Sequence, residues 1–245
     1  MKLSLLSILL FLSLNVDAQS LQLHYDLRHT LDSKRNPENF PTLYFEYFKI
    51  QDTTKSFVKL GAFLLKTQVD FTGEQSNMGQ FYMQVFQQFR FWNPKIFIIA
   101  QYSGGLGITT PRQYSYYIQN TYSVGLTYPF KLGNAFVSSE VDLKHTTFTK
   151  PSSDLSYTFY FWKGLFNYRM EFSGDFSVWT QNKNHGDDQT TGLHGKRLLF
   201  FAEPQFWYKL NKTVAVGTKI NMYYHTLSPD DILHAYPSIA LRLKL

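Results

Sequence analysis

In the stretch LFNYRMEFSGDFSVW, Phe166, Tyr168, Met170, Phe172, Phe176 and Val178 alternate with Asn167, Arg169, Glu171, Ser173, Asp175 and Ser177. A period of two residues belongs to a β-strand, whose side chains point to opposite faces in turn. Here one face is apolar and aromatic while the other carries full charges. Such a strand needs a greasy surrounding on one side and water on the other.

The pattern recurs along the chain. LQLHYDLRH sets Leu21, Leu23, Tyr25 and Leu27 against Gln22, His24, Asp26 and Arg28. TLYFEYFK sets Leu43, Phe45 and Tyr47 against Tyr44, Glu46 and Phe48, and GQFYMQVFQQFRF sets Phe81, Met83, Val85 and Phe89 against Gln80, Gln84, Gln88 and Arg90. In residues 136–147, Ser138, Glu140, Asp142 and Lys144 share one side and Val141 and Leu143 the other. Residues 57–68 are more apolar throughout and harder to assign to faces. Further strands are expected over residues 95–103, 114–128, 155–162, 196–210, 214–224 and 236–245, making about twelve. Their spacing is that of membrane strands with their connections.

The connections carry a second signal. Short links, IQDTTKS, NP, PFKLGN, WKG and LNKT, follow the even strands. Mostly longer links, residues 31–41, 70–79, 104–113, 148–154, 181–195 and 226–235, follow the odd ones. Short turns on one rim and longer loops on the other are the signature of an outer-membrane barrel. The expected fold is all-β: a single transmembrane antiparallel β-barrel of about twelve strands, in the cell outer membrane.

Composition agrees. Aromatics reach 18% of residues, with 23 Phe and 17 Tyr, yet the mean hydropathy is only −0.26, because lipid-facing and lumen-facing side chains cancel. The opening MKLSLLSILLFLSLNVDA reads as a signal peptide over residues 1–18, cut before Gln19, leaving residues 19–245 for the barrel. Lys2 and Asp17 cancel within that leader, so the net charge stays +6 after its removal. The bases are scattered, which argues against a nucleic-acid partner. With no cysteine there is neither a disulfide nor a lipid anchor. Expected partners are outer-membrane lipid, a small polar solute and the outer-membrane assembly machinery during biogenesis.

FFAEPQFWYKL, residues 200–210, interrupts its alternation with a proline. The expectation is that Phe200, Ala202, Phe206 and Tyr208 face lipid and Glu203 and Gln205 face the lumen. Trp207 and Tyr208 would then lie in an aromatic belt at the periplasmic interface. Pro204 lacks a ladder donor, so it marks either a bulge that re-aims Glu203 or the end of a shorter strand.

Twelve strands stand between the self-filled eight-stranded barrel and the open sixteen-stranded pore, so the lumen lining should decide what passes. The candidate lining residues are Asp26, Arg28, Glu46, Tyr82, Phe86, Arg90, Asp142, Lys144, Arg169, Glu171, Asp175, Glu203, Lys219 and Arg242. Both signs of charge suit small polar or zwitterionic solutes, and Tyr82 and Phe86 offer faces on which a planar ring can stack. The alternative is that these charges pair across the lumen and plug it.

Chemistry beyond passage finds little support. His185, Asp187, Asp188 and His194 in NKNHGDDQTTGLHG have ligand-type side chains without ligand spacing, so no metal is expected. His145 with Ser139 or Ser156 is the candidate for a hydrolytic pair, but no nucleophile motif surrounds either serine. No catalytic residue and no cofactor is expected. The sequon at Asn211 falls in a predicted periplasmic turn and carries no weight. A non-conducting structural or adhesive barrel, and less so a lipid-modifying enzyme, are the rival readings.

LQLHYDL near the mature start and EPQFWYKL…VAVGTKINMYY near the end resemble a family of bacterial outer-membrane barrels grouped with the Tsx-type nucleoside-specific channels. The resemblance implies a twelve-stranded barrel with a narrow lumen and passage of nucleosides. It carries over no site residue, and the chain ends LRLKL rather than with the terminal aromatic usual in outer-membrane proteins.

Overall fold

Along Ser115–Leu132, Tyr122, Val124, Leu126 and Tyr128 are each at least 50% exposed while Thr121, Ser123 and Thr127 are buried. The computed structural model, which describes residues 19–51, 56–111 and 114–245, repeats this inverted distribution in strand after strand. The expected signal peptide lies outside the described residues, as do residues 52–55 of the first short link and 112–113 of a loop.

The strands are β1 (Gln19–Asp26), β2 (Phe40–Ile50), β3 (Lys59–Asp70), β4 (Gln80–Arg90), β5 (Phe97–Ile108), β6 (Ser115–Leu132), β7 (Ala135–Thr146), β8 (Ser152–Leu165) and β9 (Met170–Asn182). Then come β10 in two runs (Lys196–Ala202 and Gln205–Lys209), β11 (Val214–Tyr224) and β12 (His234–Lys244). Each pairs antiparallel with the next, and β12 pairs with β1 from Ser20↔Lys244 to Asp26↔Ser238. The result is a closed twelve-stranded barrel. Closure matters because in hydrocarbon no water can satisfy an open sheet edge. One short helix, α1 (Arg28–Leu31), follows β1 at the loop rim.

The faces assigned to β1, β2, β4 and β7 hold. Leu23, Tyr25, Val141 and Leu143 are exposed, whereas Gln22, His24, Asp26, Glu140 and Asp142 are buried inside. The ambiguity of residues 57–68 has a cause: the register of β3 against β4 shifts between Leu60 and Phe63, which switches the inward parity within one strand. Beyond that bulge Leu64, Lys66, Gln68 and Asp70 point inward.

Three expectations require correction. Residues 166–169 form a turn rather than the start of β9, with Phe166, Asn167 and Tyr168 at φ of 50°, 54° and 64°. Alternation runs on through this turn, so the sequence pattern alone could not see it; Arg169 is thereby exposed and leaves the lumen. Pro204 marks no bulge. Ala202↔Phe176 and Gln205↔Ser173 keep one register with β9, and Ala202↔Met222 and Gln205↔Lys219 keep one with β11. The ladder carries on, with Glu203 N–H donating to Asp175 O at 3.0 Å and Ile220 N–H donating to Pro204 O at 2.9 Å. Gly174 makes the fit, since a Cβ there would stand 2.8 Å from Pro204 Cα. Third, Trp207 is not in the belt; it is 0% exposed on the lumen face, and Tyr208 alone points outward. Several strands also outrun their expected ends, so that β6 and β7 are joined by residues 133–134 and β7 and β8 by residues 147–151.

Candidate functional site: the barrel lumen

The lumen has a packed side and an open side. On the packed side, formed by β1, β10, β11 and β12, Trp207 packs with Ala215 and Ala240. Gly217, its partner in register, leaves room for the indole; a Cβ there would sit 2.7 Å from Trp207 Cε3. Trp207 Nε1–H donates to Gln205 Oε1 at 2.9 Å, and the ring meets His24 edge-on with centroids 5.8 Å apart. His24 bonds Ser238 Oγ at 2.9 Å and Gln22 Oε1 at 3.0 Å. Below this layer Glu171 pairs with Lys209 at 2.6 Å and with Arg242, whose guanidinium lies 4.5 Å from the Trp207 ring centroid.

Above it sits a charged clasp. Glu203 on β10 accepts from Lys219 of β11 at 2.6 Å and from Lys66 of β3. Lys219 also donates to the Tyr44 hydroxyl on β2. Lys66 and Glu203 are 137 residues apart, and β3 and β10 lie on opposite walls of the ring of strands. Their ion pair therefore spans the lumen. Glu203 and Lys219 are nearly fully buried, and their desolvation is tolerable only because each has charged and hydrogen-bonding partners. On the neighbouring walls Phe86 of β4 approaches Tyr160 of β8, with centroids 6.5 Å apart. Clasp and ring pair together narrow the middle of the barrel.

The open side is a cavity of about 1350 Å³. Ile50, Gln51, Lys59 and Lys95 line it at the turn rim, and Thr226 and Leu227 at the loop rim. Toward the turn rim its wall is apolar, with Phe48, Leu64, Phe97 and Trp162; toward the loop rim it is polar, with Gln68, Gln84, Gln101, Ser123 and Ser156.

Of the candidates from sequence, Arg28, Glu46, Tyr82, Phe86, Arg90, Asp142, Lys144, Asp175, Glu203 and Arg242 border this cavity. Asp26 is held beneath Arg28 in a 2.9 Å ion pair at the loop rim. Lys219 is shut inside the clasp and Glu171 inside the packed side, while Arg169 lies outside in its turn. Arg90 is turned toward the short link after β4, donating to Pro94 O at 2.7 Å. Sequence reading missed Lys66, Tyr44, Tyr160 and Trp179. Tyr44 and Trp179 had a local signal, lying on the faces of Glu46 and of Asp175 and Ser177, and Lys66 had one in the alternation of Lys66, Gln68 and Asp70 once the bulge is allowed for.

Three of the residues weighed for metal or catalysis, His185, Asp187 and His145, have other partners. His185 stacks on Phe148 with centroids 3.9 Å apart, and Asp187 accepts from Thr190. His145 bonds Ser153 Oγ at 2.9 Å, not Ser139 or Ser156, and does so on the exposed outer face. Asn211 uses its side-chain oxygen to cap Thr213 and Val214 N–H groups in the turn before β11.

Among solved structures, the NanC porin in its rhombohedral crystal form is similar, with a TM-score of 0.54 and 6% identity over 93% of this chain and 100% of that one. The KdgM porin gives a TM-score of 0.47 at 8% identity, covering 92% and 99% of the two chains. LpxR from Salmonella typhimurium gives 0.43 at 10% identity, covering 92% and 100%. The likeness is one of fold. No curated protein matches the sequence. The family described as "Domain of unknown function (DUF5020)" matches residues 18–244.

Proposed function

Because the chain belongs to the DUF5020 family, whose description assigns no activity, we propose its function from the lumen itself: an outer-membrane barrel through which small hydrophilic solutes diffuse passively. The observation that carries this reading is the cavity with lining residues at both rims and a constriction of mixed charge between them. A concentration difference drives the flow, and the charges and dipoles of the wall select. The apolar exterior supports placing the barrel in outer-membrane lipid, with the assembly machinery of that membrane as its partner in biogenesis. Nucleosides are the finer proposal. The resemblance to Tsx-type channels suggests them, and Tyr82, Phe86 and Tyr160 offer ring faces beside hydrogen-bonding glutamines. On this reading the barrel is a passage and not an enzyme.

The cross-lumen Lys66–Glu203 pair favours one rival, a barrel plugged by its own ion pairs. Purified protein in planar bilayers decides. Stepwise conductance that adenosine reduces is the expected result; no conductance under any applied potential overturns the channel and leaves the plug.

A further inference from the structure

The clasp satisfies its charges, but the opposite wall does not. On β7, Glu140 is 1% exposed and Asp142 4%, and Asp142 lines the cavity. Glu140 Oε2 and Asp142 Oδ1 have no hydrogen-bond partner among the described residues. Neither side chain forms an ion pair among those residues; the two carboxyl groups hydrogen-bond each other through one oxygen apiece, and beyond that Asp142 receives a long contact from Ser156 Oγ, at 3.4 Å. The hydroxyls around them are spent on one another: Thr127 with Ser138 at 2.8 Å, and Thr158 with Ser177 at 2.8 Å. Unpartnered buried carboxylate oxygens are costly, and in a native structure they call for a missing counter-group.

The surroundings say what kind. In register, Asp142 stands level with Ser156 and Trp179, and Ser138 level with Tyr160 and Asp175. Asp142 at the cavity wall, with Glu140 buried beside it, thus lies between two aromatic side chains that border the same cavity. Lys144, the nearest base on β7, rests its ammonium over the Trp179 ring, 3.8 Å from the centroid, rather than on Asp142. This wall already seats an ammonium on an aromatic face.

We propose that Glu140 and Asp142 form a subsite for a solute carrying a protonated primary amine on an aromatic body, the ammonium taking the two carboxylates and the ring lying against Tyr160 or Trp179. The attraction combines charge-assisted hydrogen bonds with stacking and cation–π contact. A hydrated inorganic cation shares the charge but gains nothing from the rings. The proposal rests on the lumen being open to solute, yet binding can be read without conduction.

The test is calorimetric titration of the full-length barrel in detergent with phenethylammonium chloride, 2-phenylethanol and potassium chloride. The expected result is one phenethylammonium per barrel, bound at least tenfold more tightly than the alcohol, with potassium chloride giving no site heat. A Glu140→Gln, Asp142→Asn double variant should lose at least tenfold in affinity. Equal binding of the alcohol, binding of potassium alone, or no binding at all overturns the subsite. The comparison of amine with alcohol on the unaltered protein needs no variant to fold. A barrel that conducts yet fails this titration loses the subsite and keeps the channel.

Discussion

Glu203 is the residue on which the lumen's charge balance turns. It pairs with Lys66 and Lys219 at once, so Glu203→Gln leaves two facing ammonium groups with a neutral partner. The channel should become more anion-selective, read as a shifted reversal potential in a salt gradient; an unchanged potential would show that Glu203 does not sense the path. Breaking a buried pair this way also costs about 3–5 kcal/mol, measurable as lower resistance to urea. Gly217 poses a separate question of space. A methyl group there meets the Trp207 indole, so Gly217→Ala should destabilise by about 1–3 kcal/mol, while Gly192, with open space around its Cβ position, should tolerate the same change. What the sequence shows at this scale is which residues face inward, because each is fixed by neighbours one and two places away. What it hides is partnership: nothing near Glu203 in the chain points to Lys66, which arrives from the far wall.

Among the strands, β6 gives the sharpest test of inside against outside. Val124→Arg would put a charge on the greasy face midway along the strand and should cost about 2–4 kcal/mol, whereas Ser123→Arg one residue earlier faces the wet side and should change conductance instead. Equal destabilisation by both would contradict the assigned faces. Strands whose inward places are mostly charged or polar, such as β4 and β7, were readable from the alternation alone. β3 was not, because one inserted residue inverts its parity. The turn at residues 166–169 was hidden for the opposite reason: its left-handed residues happen to continue the alternation of the strand they precede. At the loop rim the link after β1 is tied to the link before β12. Arg35 pairs with Asp32 at 3.0 Å and lies 3.9 Å from Asp230, and Tyr236 donates to Asp32. The hydrogen bond from Arg35 holds the Asp32 carboxyl below its ordinary value of 3.8, and the one from His234 does the same for Asp230. Depressed carboxyls contribute stability above their ordinary value and lose it as pH falls through the lowered one. Protection of amides in residues 27–39 against exchange should therefore hold from neutral pH down to about 4 and fall below that; protection lost already near pH 6 would assign the tie to histidine.

At the scale of the molecule, apolar residues go outward and polar ones inward, and lipid makes that inversion favourable. The strand count, the two unequal rims and the exterior were all legible because they repeat. The division of the lumen into packed and open halves was not, because Trp207 and the clasp set it through contacts between distant strands. One detail of the seam reaches further. The Leu245 N–H donates to the Gln19 carbonyl at 3.0 Å, so the first and last strands end as neighbours at a single rim. Topologically the polypeptide is a necklace whose opening is arbitrary. Splicing residue 245 to residue 19 through a short linker and cutting within residues 183–195 should give a circular permutant with the same hydrogen-bond ladder, in which β10 is the first strand made and β9 the last.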